Sequence, residues 1–206
     1  MADLQQLIKN IEQWAEDRNL IEGSTPQKQF IKLMEEFGEL CSGVAKNKPD
    51  VIKDSIGDCF VVMVILAKQN HIDSVLEKIS DLDSSFEKIS DLDSSFEKIS
   101  DLDSFFEKIS DLNSFQHVFE LGVEEIIVET VVSLGMLGML ASELMGQNLE
   151  MPTKVDAIFG WPYLSLKLIS RKYNLMLTDC VQAAWDEIKD RKGRMIDGVF
   201  VKESDL

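Results

Sequence analysis

Three features of this 206-residue chain predict an all-α fold. Apolar residues recur at spacings of three and four, helix-opening residues stand just before those runs, and no strand alternation or glycine-rich phosphate loop is seen. An apolar content of 45% is enough for one substantial core.

Leu4, Leu7, Ile8, Ile11, Trp14 and Ala15 fall on one face of a first amphipathic helix. The stretch Glu22-Gly23-Ser24-Thr25-Pro26 reads as a turn, with Thr25 as N-cap and Pro26 in the first helical position. A second helix then runs to about Ala45. Pro49 opens a third that continues to about Gln69, and its distal half, Cys59 to Ala67, is apolar all round, which places it centrally.

A tandem repeat follows. Phe-Glu-Lys-Ile-Ser-Asp-Leu-Asp-Ser begins at Phe86 and again at Phe96, with close variants from Leu76 and Phe106. Its apolar spacing suits helix, but a ten-residue period turns the stripe by roughly -80° per unit, so one straight helix could not bury it on a flat neighbour. Each unit also carries Ser-x-x-Glu, the pattern of a helix start. Short capped helices and one long exposed helix both remain open. Residues 117–147 then read as a long helix, Gly160-Trp161-Pro162 as a turn, and Leu164 to Tyr173 as helical. A closing helix is expected from Thr178, as cap, to Lys192, with Gly193 as its stop.

The net charge is -16. Half of it lies in Ile72 to Asp111, where 12 acidic residues and 4 lysines leave -8. Such a balance repels nucleic-acid phosphates and anionic membranes and concentrates divalent cations. Cys41, Cys59 and Cys180 form no CxxC pair, which argues for reduced thiols and a cytoplasmic setting. No signal peptide or membrane span is expected: residues 1–20 lack a basic start and an unbroken apolar run, and Thr130 to Ser142 is too short to cross a bilayer.

The chemistry concentrates in Glu35-Glu36-Phe37-Gly38-Glu39 and Asp54-Ser55-Ile56-Gly57-Asp58. On a helix, Glu35 and Glu36 each approach Glu39, and Asp54 approaches Asp58. Clustered carboxylates destabilise a helix unless they are solvated or bridged by a cation, and both outcomes are open to such a face. Magnesium prefers oxygen ligands and keeps waters that phosphate can replace. Two helices with paired acids can build such a site inside a bundle. The apolar run directly after Asp58 favours the metal reading, because it puts Asp58 at the border of the core.

These segments resemble a known family. Trp14, the run Gln29 to Leu40 and Ile56-Gly57-Asp58 are similar to the all-α nucleoside triphosphate pyrophosphohydrolases of the MazG type. Ala184 to Gly193 and the tail Gly198 to Glu203 resemble the small, phage-associated members. The resemblance implies a helical bundle that hydrolyses a nucleoside triphosphate to monophosphate and pyrophosphate, using magnesium or, as a substitute, manganese. It implies metal ligands at Glu36, Glu39 and Asp58. Ser55 stands where the family carries glutamate, and Asp54 beside it is the candidate replacement, directly or through a water. Glu35 matches an acid expected to orient the attacking water or a second ion. Lys189 and Arg191, with Lys192 beside them, match basic residues that clamp the polyphosphate, although the end of a helix also favours cations without any ligand. Asp186 stands where asparagine is common. Gln29 and Trp14 are candidates to contact the base, although a tryptophan at the spacing of Trp14 is more often core.

The resemblance also implies at least a homodimer. It divides the chain into a catalytic core, residues 1–72 and 162–206, and an insertion, residues 73–161, whose repeat should be dispensable for catalysis. The rival function is a non-catalytic acidic helical protein that imitates DNA or fills a partner's basic groove, which would need no metal pocket.

Overall fold

The computed structural model describes residues 3–72, 76, 121–142 and 155–206. Helix α1, Leu4–Asp17, is capped by the Asp3 carboxylate, which accepts the Gln5 amide at 2.8 Å. All six apolar residues predicted to line its inner face are buried. Asn19, at φ 56°, turns the chain into the single-turn helix α2, Leu20–Gly23. The turn expected over residues 22–26 therefore starts inside a helix. Helix α3 spans Pro26–Ala45, with Thr25 accepting the Lys28 amide at 3.3 Å as its cap.

Helix α4, Pro49–Gln69, buries 13 of its 21 residues and is the axis of the fold. It packs on α3 in antiparallel fashion, since Gly43 lies against Ile52 at the connected ends while α3 and α4 run on together. Two further helices form a layer beside this pair: α5, Val123–Ala141, and α6, Val155–Lys172. They pack on each other, α5 also on α3 and α6 also on α4. The Phe30 ring fits the gap left by Gly138, and Phe60 meets Tyr163 edge-on at 6.2 Å. Glu124, Glu125 and Glu129 form a solvated face of α5.

Two sequence readings need correction here. Gly160-Trp161-Pro162 is not a turn, because Pro162 lies inside α6. An internal proline costs about 3 kcal/mol. Ile158, Phe159, Tyr163 and Leu164 around it are fully buried, and each such side chain contributes roughly 1.5–3 kcal/mol. Packing outweighs the proline. Second, α7 spans only Leu177–Ile188, opened by Met176 without a side-chain cap, and Thr178 sits within it. Gly193 does not stop a helix but begins strand β1, Gly193–Ile196, which pairs with β2, Val199–Lys202, in an antiparallel hairpin. Asp197 (φ 50°) and Gly198 (φ 75°) make the tight turn, whose left-handed backbone suits an Asp-Gly pair. The cross-strand pair Met195 and Phe200 turns toward the core.

Among the described residues the fold is all-α with this one small hairpin. The long helix read over 117–147 appears as the shorter α5, which Gly122 opens and Ser142 closes; residues 117–120 and 143–147 lie outside the described residues, as does the repeat apart from Leu76, which is buried. The boundary placed at 161/162 falls within α6. No helix among the described residues is long and apolar enough to cross a membrane.

Candidate active site

A cavity of about 600 Å³ opens where α1, α3, α4, α7 and the hairpin converge. Helix α3 supplies Glu35, Glu36 and Glu39, α4 supplies Asp58, and Glu187 enters from α7. Four cations share the lining: Lys28, Lys32, Arg191 and Lys202. Val61, Val62 and Ile65 of the central helix form an apolar wall. Among the described residues, none from the middle of the chain, between Ile65 and Glu187, lines this space.

Packing sets the acids at different depths. Glu36 is 7% exposed. Its carboxylate meets Lys32 Nζ at 2.6 Å, and Glu35, more exposed, meets the same ammonium at 2.9 Å. Burial opposes the charge on Lys32, but hydrogen bonds to Glu36 and Glu35 outweigh it and raise its pKa above the ordinary lysine value. Burial, then the charges of Glu36, Asp54 and Glu187, push the Asp58 carboxyl up to about 7, against a weaker pull from Arg191. Asp54 lies one turn earlier on the outer surface of α4 and does not line the cavity. Its pKa is raised by burial and by Glu187, and lowered by Arg191. Ser55 is 1% exposed, and its hydroxyl has no hydrogen-bond partner among the described residues. It faces the packing, not the cavity.

The predicted clamp residues separate. Arg191 lines the cavity and pairs with Glu187. Lys189 is exposed and held by Asp186 at 2.6 Å, and Lys192 is exposed; neither lines the cavity. Gln29 and Trp14 do line it, both nearly buried. Gln29 donates to Ser24 Oγ at 3.1 Å, and Trp14 Nε1 donates to the Ile188 carbonyl at 2.8 Å while its ring meets Phe200 at 6.1 Å. Trp14 is thus both core and cavity wall.

Sequence reasoning missed Arg18, Lys28, Lys32, Glu187, Phe200 and Lys202. Arg18 stacks 4.8 Å over the Trp14 ring and donates to the Lys189 and Arg191 carbonyls, tying the end of α7 to α1. Lys28 Nζ donates to the Asp197 carbonyl and so anchors the hairpin turn. Two signals were available. Lys32 stands three and four residues before Glu35 and Glu36, and Glu187 four before Arg191, both helical-neighbour spacings. Asp197-Gly198 between apolar residues marks a hairpin.

Among the described residues no three acids already stand together as a metal cage. The donor chemistry nonetheless fits a hard divalent cation. Glu36 and Asp58 offer only oxygen, and their mutual repulsion is what a cation relieves. Magnesium is usually held by one or two carboxylates, with waters and substrate phosphates completing the shell, so a full protein cage is not required.

An all-α fold with an acidic cavity that also carries cations defines a protein suited to metal-assisted phosphate chemistry. Comparison with known proteins agrees. The MazG nucleotide pyrophosphohydrolase domain matches residues 24–91. A protein of Haemophilus phage HP1 (strain HP1c1), described as an uncharacterized 18.2 kDa protein in the rep-hol intergenic region, is 84% identical over 184 residues, covering 89% of this chain and 99% of the relative. No solved structure matches. The chain belongs to the MazG-like nucleotide pyrophosphohydrolase family, whose members generally depend on a divalent metal.

The Asp58 environment carries a stability prediction. A carboxyl whose folded pKa is about 7, above its ordinary 3.8, favours the fold while protonated. That contribution is complete below about pH 4 and is lost as pH rises through 7. Asp58→Asn, which stays neutral, should therefore stabilise the protein in chelator at pH 8, on the order of 2 kcal/mol after solvent screening. The gain should shrink toward pH 5. Thermal melts at the two pH values check this, and an equal gain at both would contradict the assigned cause.

Proposed function

We propose that this protein converts a nucleoside or deoxynucleoside triphosphate and water to the monophosphate and pyrophosphate, with magnesium as the working ion and manganese as a substitute. The observation that carries this reading is the cavity that brings Glu36 and Asp58 of neighbouring helices together with Arg191 and three lysines. Glu36, Glu39 and Asp58 would hold the ion, and Asp54, outside the lining, would contribute through water. A divalent ion held there would supply positive charge at the phosphates and would make the attacking water more acidic. Glu35 orients the attacking water and accepts its proton. The water oxygen bonds to the α-phosphorus as the bond to the α–β bridging oxygen breaks, and the electron pair leaves with pyrophosphate. Arg191 stabilises that departing charge, with Lys189 and Lys192 adding a longer-range field. Trp14 and Gln29 border the end of the cavity that takes base and sugar.

Residues 1–72 and 162–206 form the catalytic core in this reading, and residues 73–161 an insertion peripheral to it. One fact supports the division: among the described residues, the cavity lining skips the middle of the chain. We place the activity in the cytoplasm, in a homodimer or larger assembly. Exposed Ile31 and Met34 on α3, with Val128, Val131 and Val132 on α5, support a subunit contact. Nucleic acid and membrane are not partners in this account.

The test is a panel of ribo- and deoxynucleoside triphosphates with magnesium, separating pyrophosphate from orthophosphate. Monophosphate and pyrophosphate in equal amounts are expected. Release of orthophosphate alone, or no turnover of any triphosphate, would overturn the proposal.

A further inference from the structure

The Lys32 ammonium lies between the two acids that begin the Glu35-Glu36-x-x-Glu39 cluster, 2.9 Å from Glu35 and 2.6 Å from Glu36. Its partners differ in what they need from it. The Glu35 side chain is 58% exposed and water can satisfy it, whereas the Glu36 side chain is 9% exposed. A carboxylate at that depth is costly without a counter-charge. Helix stability alone does not account for the arrangement, because a lysine four residues before a glutamate is the weaker of the two orders. Lys32 also lines the cavity and is 47% exposed along its side chain, so its head has open space beside it.

We infer that Lys32 is an internal counter-ion that holds the Glu36 carboxylate until a divalent cation arrives with the triphosphate, and then yields that carboxylate to it. The inference rests on the pyrophosphohydrolase reading above and names a positioning residue within it. A cation alone has to displace the ammonium from Glu36 and leave it without an anionic partner of equal depth. A cation arriving with a triphosphate brings oxygens that accept the displaced ammonium in the same cavity. Lys32 thus disfavours loading by free metal and couples ion binding to nucleotide binding. The coupling is a difference in binding free energy, so it is reciprocal and measurable without turnover.

The test uses the full chain and manganese alone, titrated by electron paramagnetic resonance without nucleotide. Lys32→Met keeps the apolar stem and removes the charge. It should bind manganese about tenfold more tightly than the unaltered protein, the scale expected from removing one competing, partly buried charge. It should also melt at a lower temperature in chelator, because Glu36 loses its partner. If Lys32→Met does not fold, Lys32→Gln retains a hydrogen-bond donor and should show the same tightening. A folded variant with unchanged or weaker manganese affinity overturns the inference. Manganese binding that is unaffected by Glu36→Ala overturns both this inference and the site on which it rests. A triphosphate panel without pyrophosphate, alongside tightened manganese binding, overturns the catalytic reading and leaves the counter-ion role standing.

Discussion

Asp58→Ala should lower triphosphate turnover by at least about a hundredfold, equivalent to ~3 kcal/mol of transition-state stabilisation, while leaving the protein folded. The reasons are local. Asp58 faces the cavity from α4 and is one of the acids whose charge a cation must match. Its side chain is crowded by Glu36, Asp54 and Glu187, so removing it relieves repulsion and creates no unpaired charge in the core. Lost activity with an equal or higher melting temperature is therefore expected. Glu36→Ala should lose activity similarly, but without the stabilisation, because it removes the deeper of the two ion pairs of Lys32 and leaves only Glu35. Near-complete turnover by Asp58→Ala would remove this residue from the site.

Gly57→Val should destabilise the fold by about 3 kcal/mol or more, lowering the melting temperature by roughly 10 °C in a chain of this size. A Cβ at Gly57 would collide with the Cys180 carbonyl and stand 2.8 Å from the Ala184 side chain. These atoms belong to α7, whose backbone can move only by withdrawing from α4. Glu187 and Arg191 follow from that helix, so activity should fall together with stability. Gly38→Val is the matched control, since a Cβ there meets nothing within 4 Å. A small effect at Gly57 would mean that α4 and α7 are not held at this distance.

Much of this was legible in the chain because one dominant signal acted at a time. Thr25-Pro26 and Pro49 opened their helices at the expected residues, and the buried face of α1 matched its apolar spacing residue for residue. The acids of α3 and α4 were found because identical charges at helical spacing stand out in any sequence. What escaped depended on tertiary contact. Pro162 reads locally as a breaker, and only the burial of its neighbours keeps it helical. The hairpin is four residues per strand, too short for alternation to register, and its turn signal Asp197-Gly198 went unused. Lys189 and Arg191 look equivalent in sequence, and Arg18 holds both their carbonyls, yet Arg191 lines the cavity beside Glu187 while Lys189 remains outside with Asp186. Pairings across 171 to 173 residues of chain leave no mark on local pattern.

The most direct measurement of the central claim is turnover in oxygen-18 water with magnesium, followed by mass spectrometry of both products. Attack at the α-phosphorus, with cleavage of the bond to the α–β bridging oxygen, predicts one labelled oxygen in the nucleoside monophosphate and none in pyrophosphate. Label in pyrophosphate or in released orthophosphate would contradict the account, because water would then have attacked a phosphorus that the proposed site leaves intact.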